Sequence, residues 1–175
     1  LEQSKEILEE SKTNNQGFMR NDGLCSYNIC RDLLDRINEE DIYTFIETEI
    51  DKYWKEIGYL NYGFRIKESW ITCYPPGSYI ESHNHSPYAL SASFYLQKPE
   101  DSGDLVFENP LKTLLKHQPY EFGGISGYPE WFNYQINVEE GDLVIFPSYL
   151  SHKTTLNNSE FDRYILGLNI VRKPA

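Results

Sequence analysis

Long apolar runs, basic clusters, cysteines and histidines are all scarce in this chain of 175 residues. No apolar stretch approaches the roughly 20 residues that a membrane-spanning helix needs, so no membrane partner is expected. Lys and Arg number 16 against 27 Asp and Glu, a formal charge of −11, and the cations are scattered along the chain. A surface of that sign repels phosphate backbones, which argues against nucleic acid as a partner. The three cysteines, Cys25, Cys30 and Cys73, match no zinc-knuckle spacing and cannot build a disulfide framework. They read as reduced, buried thiols of a reducing compartment. With no signal peptide evident, the expectation is a cytoplasmic protein.

What is present is apolar and aromatic enough to fold. Hydrophobic residues make up 39% and aromatics 15%, including 14 Tyr, 9 Phe and 3 Trp. That surplus favours β-structure or a ligand pocket over a helix bundle. The length suits one domain over 1–175, because two would each be small and poorly buried.

The chain divides into an unlike front and back. Residues 1–60 read as helical and polar, with short apolar stripes at Ile7-Leu8 and at Leu33, Leu34 and Ile37. A stronger stripe of Ile42, Phe45, Ile46, Ile50, Tyr53, Trp54 and Ile57 recurs at three- and four-residue steps. It predicts an amphipathic helix packed on something larger and closed by Gly58. From Phe64 the period changes to two. Strands are expected at 64–74, 89–97, 104–108, 132–138, 142–147 and 162–171, which suggests a β-sandwich or barrel with helices outside. The stretch 109–131 carries three prolines and three glycines among Tyr120, Phe122, Tyr128 and Trp131. A loop this long and aromatic is expected to act as a lid over a pocket.

Two of the four histidines form His83-Asn84-His85. In extended chain, alternate side chains face one side, so both imidazoles project into the same space. His152 follows the strand expected at 142–147 and can meet them from an opposing strand. Three neutral imidazoles so placed can hold one metal ion. Three histidines with an open position fit a zinc hydrolase, and two histidines with a carboxylate fit a non-haem Fe(II) oxygenase, so spacing alone leaves the metal open.

The surrounding residues add more. Tyr74-Pro75-Pro76-Gly77 precedes the histidine pair. Leu90 to Leu96 and Ser102-Gly103-Asp104-Leu105-Val106-Phe107 follow it. Then come Gly141-Asp142-Leu143-Val144-Ile145-Phe146-Pro147, His152 and Arg163-Tyr164-Ile165. In order and spacing, over about 64–172, this series resembles the Fe(II)- and 2-oxoglutarate-dependent oxygenases. It is most similar to their prolyl-hydroxylase-like branch and to uncharacterised bacterial and phage oxygenases with His-x-His. The resemblance implies a mainly β fold, the double-stranded β-helix or jelly roll, with N-terminal helices packed on one sheet. It implies Fe(II) as cofactor and 2-oxoglutarate as co-substrate, consumed with hydroxylation of a second substrate and release of succinate and carbon dioxide. His83 and His152 fall on metal-ligand positions, and Arg163 on the position that grips the distal carboxylate of 2-oxoglutarate. A guanidinium suits that task because its fork of donors matches a carboxylate and keeps its charge when buried. Tyr74 and Tyr95 match positions that hydrogen-bond the co-substrate.

His85 departs from the pattern by standing where most relatives carry an aspartate. It can serve as third ligand, a carboxylate such as Glu81 or Asp104 can substitute, or an anion can fill the position as in halogenase-like relatives. Asn169 shares a strand face with Arg163 by alternation; with Trp131 and His117 of the aromatic loop it completes the expected substrate contacts. A small-molecule or peptidyl substrate fits such a site, and the oligomeric state stays open. Two further readings stand beside the oxygenase. One is a cupin-like three-histidine metalloenzyme that does not use 2-oxoglutarate; the other is a non-enzymatic jelly-roll metal-binding module.

Overall fold

The computed structural model describes residues 2–11, 19–37, 39–111 and 133–173. Helix α1 spans Glu2–Ser11, α2 Leu33–Ile37 and α3 Glu40–Glu56. Among the described residues ten strands accompany them: β1 Met19–Arg20, β2 Leu24–Cys25, β3 Phe64–Tyr74, β4 Tyr79–Ile80 and β5 Leu90–Gln97. The rest are β6 Leu105–Glu108, β7 Asn133–Ile136, β8 Leu143–Pro147, β9 His152–Thr154 and β10 Arg163–Arg172. The expected strands match β3, β5, β6, β7, β8 and β10 to within a residue or two at each end. The front is not wholly helical, however, because β1 and β2 lie within it. Two-residue strands that pair with distant partners leave no periodicity for a sequence reading to find.

The molecule is a mainly β jelly roll. Five strands form the major sheet in the order β2-β3-β10-β5-β8, facing a three-stranded sheet β7-β6-β9 and a two-stranded ribbon β1-β4. An isolated bridge between His83 and His152 ties the ribbon side to β9. The histidine pair thus lies in extended chain beside β9, although it belongs to no named strand.

The central strands β3 and β10 are buried on both faces, and alternation sorts them cleanly. Ile71, Cys73, Leu166, Leu168 and Ile170 face outward, where Leu33, Leu34, Ile46, Ile50 and Trp54 of α2 and α3 cover them. The stripe expected for α3 is the buried one, although Phe45 and Ile57 at its margins remain exposed. Trp70, Tyr74, Tyr95 and Ile165 face inward with Cys25 and Met19. That inner face lines the site. Among the described residues no helix is long and apolar enough to cross a membrane.

Candidate active site

An inner cavity of about 230 Å³ lies between the sheets. Its floor alternates large and small residues: Trp70, Thr72 and Tyr74 on β3, Ile165 and Gly167 on β10, Ser91, Ser93 and Tyr95 on β5. The small side chains of Ser91, Ser93 and Gly167 leave space where a core would be filled. Gly167 is obligatory for a second reason. A Cβ there would lie 2.4 Å from the Trp70 indole, so only glycine lets this ring lie flat on β10.

His83, His85 and His152 converge at one end. One ring nitrogen from each lies within 4.8 Å of the others, and no carboxylate belongs to this group among the described residues. His83 and His152 are joined by a reciprocal backbone pair, N to O at 3.0 and 2.9 Å. Their tautomers follow from simple accounting. Nδ1 of His83 sits 2.8 Å from the Glu81 carbonyl, and Nδ1 of His152 sits 3.0 Å from that of Leu150. A carbonyl only accepts, so both Nδ1 atoms carry the proton and the lone pairs lie on Nε2, the arrangement that metal-binding histidines use. The His85 ring stacks on Trp70 at 5.5 Å and on His152 at 5.1 Å.

All three imidazoles are held neutral. Burial lowers the His83 pKa below its ordinary range. Burial, reinforced by His83, pushes His85 down to about 4 and His152 down to about 3. Neutral rings need no deprotonation before they bind a cation. The alternative carboxylates are engaged elsewhere. Glu81 accepts two bonds from Arg20 at 2.9 and 2.6 Å, while Asp104 meets Lys98 at 3.5 Å and Gln135 at 3.0 Å.

The opposite end is built around Arg163, which is 0% exposed. Its Nη1 donates to the Ser102 carbonyl. Its guanidinium lies 4.2 Å from the Tyr74 ring centroid, a cation–π contact. Among the described residues Nε and Nη2 have no partner, and neither has the Tyr95 hydroxyl. Buried donors left unpaired are costly, so three at one place mark a site that awaits an acceptor. Burial lowers the Arg163 pKa, with the phenols of Tyr74 and Tyr95 working against that shift. Arg163 itself sits behind the cavity wall that Tyr74, Tyr95 and Ile165 form. Gly103 permits this arrangement: at φ +88° its Cβ would meet the Thr155 carbonyl at 2.5 Å and Arg163 Nη1 at 2.8 Å.

The structure therefore gathers His83, His85 and His152 at one end and Tyr74, Tyr95 and Arg163 at the other. Asn169 faces inward as alternation requires, but it is 0% exposed and its amide is spent on Ser91 and Glu68. It does not line the cavity. His117, Trp131 and the lid reading of 109–131 lie outside the described residues, apart from the first three positions of that segment. Sequence reasoning missed Trp70, Tyr27, Phe146 and Ser102. Alternation from Tyr74 along the expected 64–74 strand would have found Trp70. Nothing local marks Tyr27, which arrives from a front read as helical.

A jelly roll with three convergent histidines on its cavity and a buried, part-satisfied arginine behind the far wall defines a β-fold protein with a candidate metal centre. The family model described as "Putative 2OG-Fe(II) oxygenase" matches residues 68–169, more than half of the chain, and the chain belongs to that family. Membership of that family implies Fe(II) as cofactor and 2-oxoglutarate as co-substrate. No curated protein matches the chain in sequence. Among solved structures, HygX from Streptomyces hygroscopicus, with nickel and 2-oxoglutarate bound, is similar at 11% identity and a TM-score of 0.55, over 95% of this chain and 78% of that one. A Pseudomonas putida prolyl-4-hydroxylase is similar at 19% identity and 0.51, over 77% and 65%. A Burkholderia pseudomallei oxidoreductase of the 2OG-Fe(II) oxygenase family is similar at 14% and 0.51, over 68% and 50%. At these identities the likeness is one of fold, and the chain spans half to two thirds of the length of the last two proteins. Family membership supports the 2-oxoglutarate oxygenase reading.

Proposed function

We propose that this chain hydroxylates a small-molecule or peptidyl substrate, consuming dioxygen and 2-oxoglutarate and releasing succinate and carbon dioxide. One observation carries the reading: a cavity with three convergent neutral imidazoles at one end and, in and directly behind the wall at the other, the orphaned buried donors of Tyr95 and Arg163. That pairing suits a metal ion at the first end and an anionic group at the second. His83, His85 and His152 would hold Fe(II), with His85 in place of the usual carboxylate. The iron, when bound, supplies the dioxygen chemistry that couples oxidative decarboxylation of the co-substrate to oxidation of a C–H bond.

The chain's own residues bind, orient and exclude water. The Nε–Nη2 edge of Arg163 is a fork for the distal carboxylate, and the Tyr95 hydroxyl is a third donor beside it. The Tyr74 ring seals one face of the guanidinium and keeps its field undiluted by solvent. Phe146 lines the cavity next to His152, their rings 4.7 Å apart. Trp131 and His117 are candidate substrate contacts on sequence grounds.

The test is anaerobic titration of the Fe(II)-loaded protein with 2-oxoglutarate. A metal-to-ligand charge-transfer band in the visible range is expected as the keto acid chelates the metal. Bound iron without that band overturns the reading.

A further inference from the structure

We infer that a row of buried polar side chains across the major sheet positions His85, making Ser148, Ser91 and Asn169 positioning residues for the third metal ligand; this rests on the proposed function above. His85 lies outside any named strand, so its aim depends on few contacts. The His85 N–H donates to the Ser148 carbonyl at 2.9 Å, and its ring rests on Trp70. Ser148 directly follows β8, and its Oγ lies 2.7 Å from Ser91 Oγ on β5. Ser91 Oγ donates to Asn169 Oδ1 on β10 at 2.9 Å, and Asn169 Nδ2 donates to Glu68 Oε2 on β3 at 3.0 Å. These four residues stand on β8's end, β5, β10 and β3, in the order in which those strands are paired.

The direction of every link is determined. Ser91 gives its single proton to Asn169, so the hydroxyl of Ser148 must donate to Ser91. Donors therefore run one way, from Ser148 to the carboxylate of Glu68. Glu68 also accepts from Tyr27 at 2.9 Å and from Arg31 at 3.3 Å. Burial alone would raise its pKa, but the bonds from Asn169, Tyr88 and Tyr27 and the charge of Arg31 together outweigh burial and hold it below the usual carboxylate range. A chain of bonds polarised toward one anion is mutually strengthening. Ser91, Ser148 and Asn169 are each 0–1% exposed, so their bonds are largely shielded from bulk solvent. The row thereby fixes the Ser148 carbonyl, and through it the backbone of His85. An aspartate ligand can rotate either oxygen toward a metal, whereas an imidazole offers one fixed lone pair and needs this aim.

The test is a cobalt(II) titration, followed by ligand-field absorption, of the wild type and three serine variants. Ser148→Ala and Ser91→Ala should weaken cobalt binding about tenfold, the low end for losing a partner behind a ligand. Ser69→Ala is the structural control. Ser69 Oγ accepts from the Leu34 N–H at 2.8 Å on the helix-covered face, so this variant should lower Tm and leave cobalt affinity unchanged. In a His85→Ala background, Ser148→Ala should add nothing, because the row acts through His85. Three results overturn the inference: unchanged affinity in Ser148→Ala, an undiminished Ser148→Ala effect without His85, or an equal loss in Ser69→Ala. A wild type that binds no cobalt overturns the proposed function as well. A wild type that binds cobalt and 2-oxoglutarate while Ser148→Ala matches it overturns this inference alone.

Discussion

The two ends of the cavity solve opposite electrostatic problems. The histidine end is half-buried and complete without charge: two Nδ1 protons are already donated to carbonyls, and all three rings are neutral. The arginine end is buried, charged and incomplete, with one donor bonded to Ser102 and two left over. Preorganisation at the first end comes from the chain's own backbone. At the second end the chain's own residues leave donors of Arg163 and Tyr95 without an acceptor among the described residues. One end is therefore sensitive to geometry, and the other to charge.

Removing a ligand should break the contrast most severely. His152→Ala is expected to lower iron occupancy and to cut 2-oxoglutarate turnover by roughly a hundredfold or more, since the site keeps only two imidazoles. Metal content of the purified protein and succinate release check this. Arg163→Met should separate the ends. It removes a charged bidentate contact of about 3 kcal/mol, so 2-oxoglutarate affinity should fall by about two decades in calorimetry while cobalt affinity holds. Arg163→Lys should recover only part of the loss, because an ammonium cannot present a fork.

Gly167→Ala tests the geometric end. Its Cβ would meet three Trp70 indole atoms at 2.4 to 2.8 Å, an overpacking worth roughly 1–3 kcal/mol by thermal or denaturant unfolding. Because Trp70 carries the His85 ring, metal affinity should fall with it. The smallest effect sharpens the charged end. Tyr95→Phe deletes a buried hydroxyl that has no partner, so the ligand-free protein should be unchanged or up to about 1 kcal/mol more stable. The same variant should bind 2-oxoglutarate several-fold more weakly, a split visible as a reduced ligand-induced rise in Tm.

The two ends also differed in how far the sequence exposed them. His83 and His85 were legible together because alternation is a local property of extended chain, and His152 because a strand signal ended just before it. Arg163 and Tyr74 are 89 residues apart in sequence yet directly opposed in register on β10 and β3. Only the family resemblance brought them to one function beforehand. Asn169 shows the limit of alternation. The period placed it on the inner face, but its neighbours' hydrogen bonds, invisible in one dimension, withdrew it from the cavity. Glu81 and Asp104 were open as metal ligands until Arg20, Lys98 and Gln135 were seen to occupy them.

Residue order alone carried the period-two back half, the amphipathic α3 and the histidine set, and the jelly roll followed from the family resemblance. Those signals are carried by residue type and near-neighbour spacing. The tertiary structure decided which groups stand satisfied and which do not. It paired the two Nδ1 protons of His83 and His152 with backbone carbonyls, spent Asn169 within the sheet, and left Arg163 and Tyr95 with unmet donors. Satisfaction of a buried polar atom depends on which distant chain segment arrives beside it, and packing, not spacing, selects that segment.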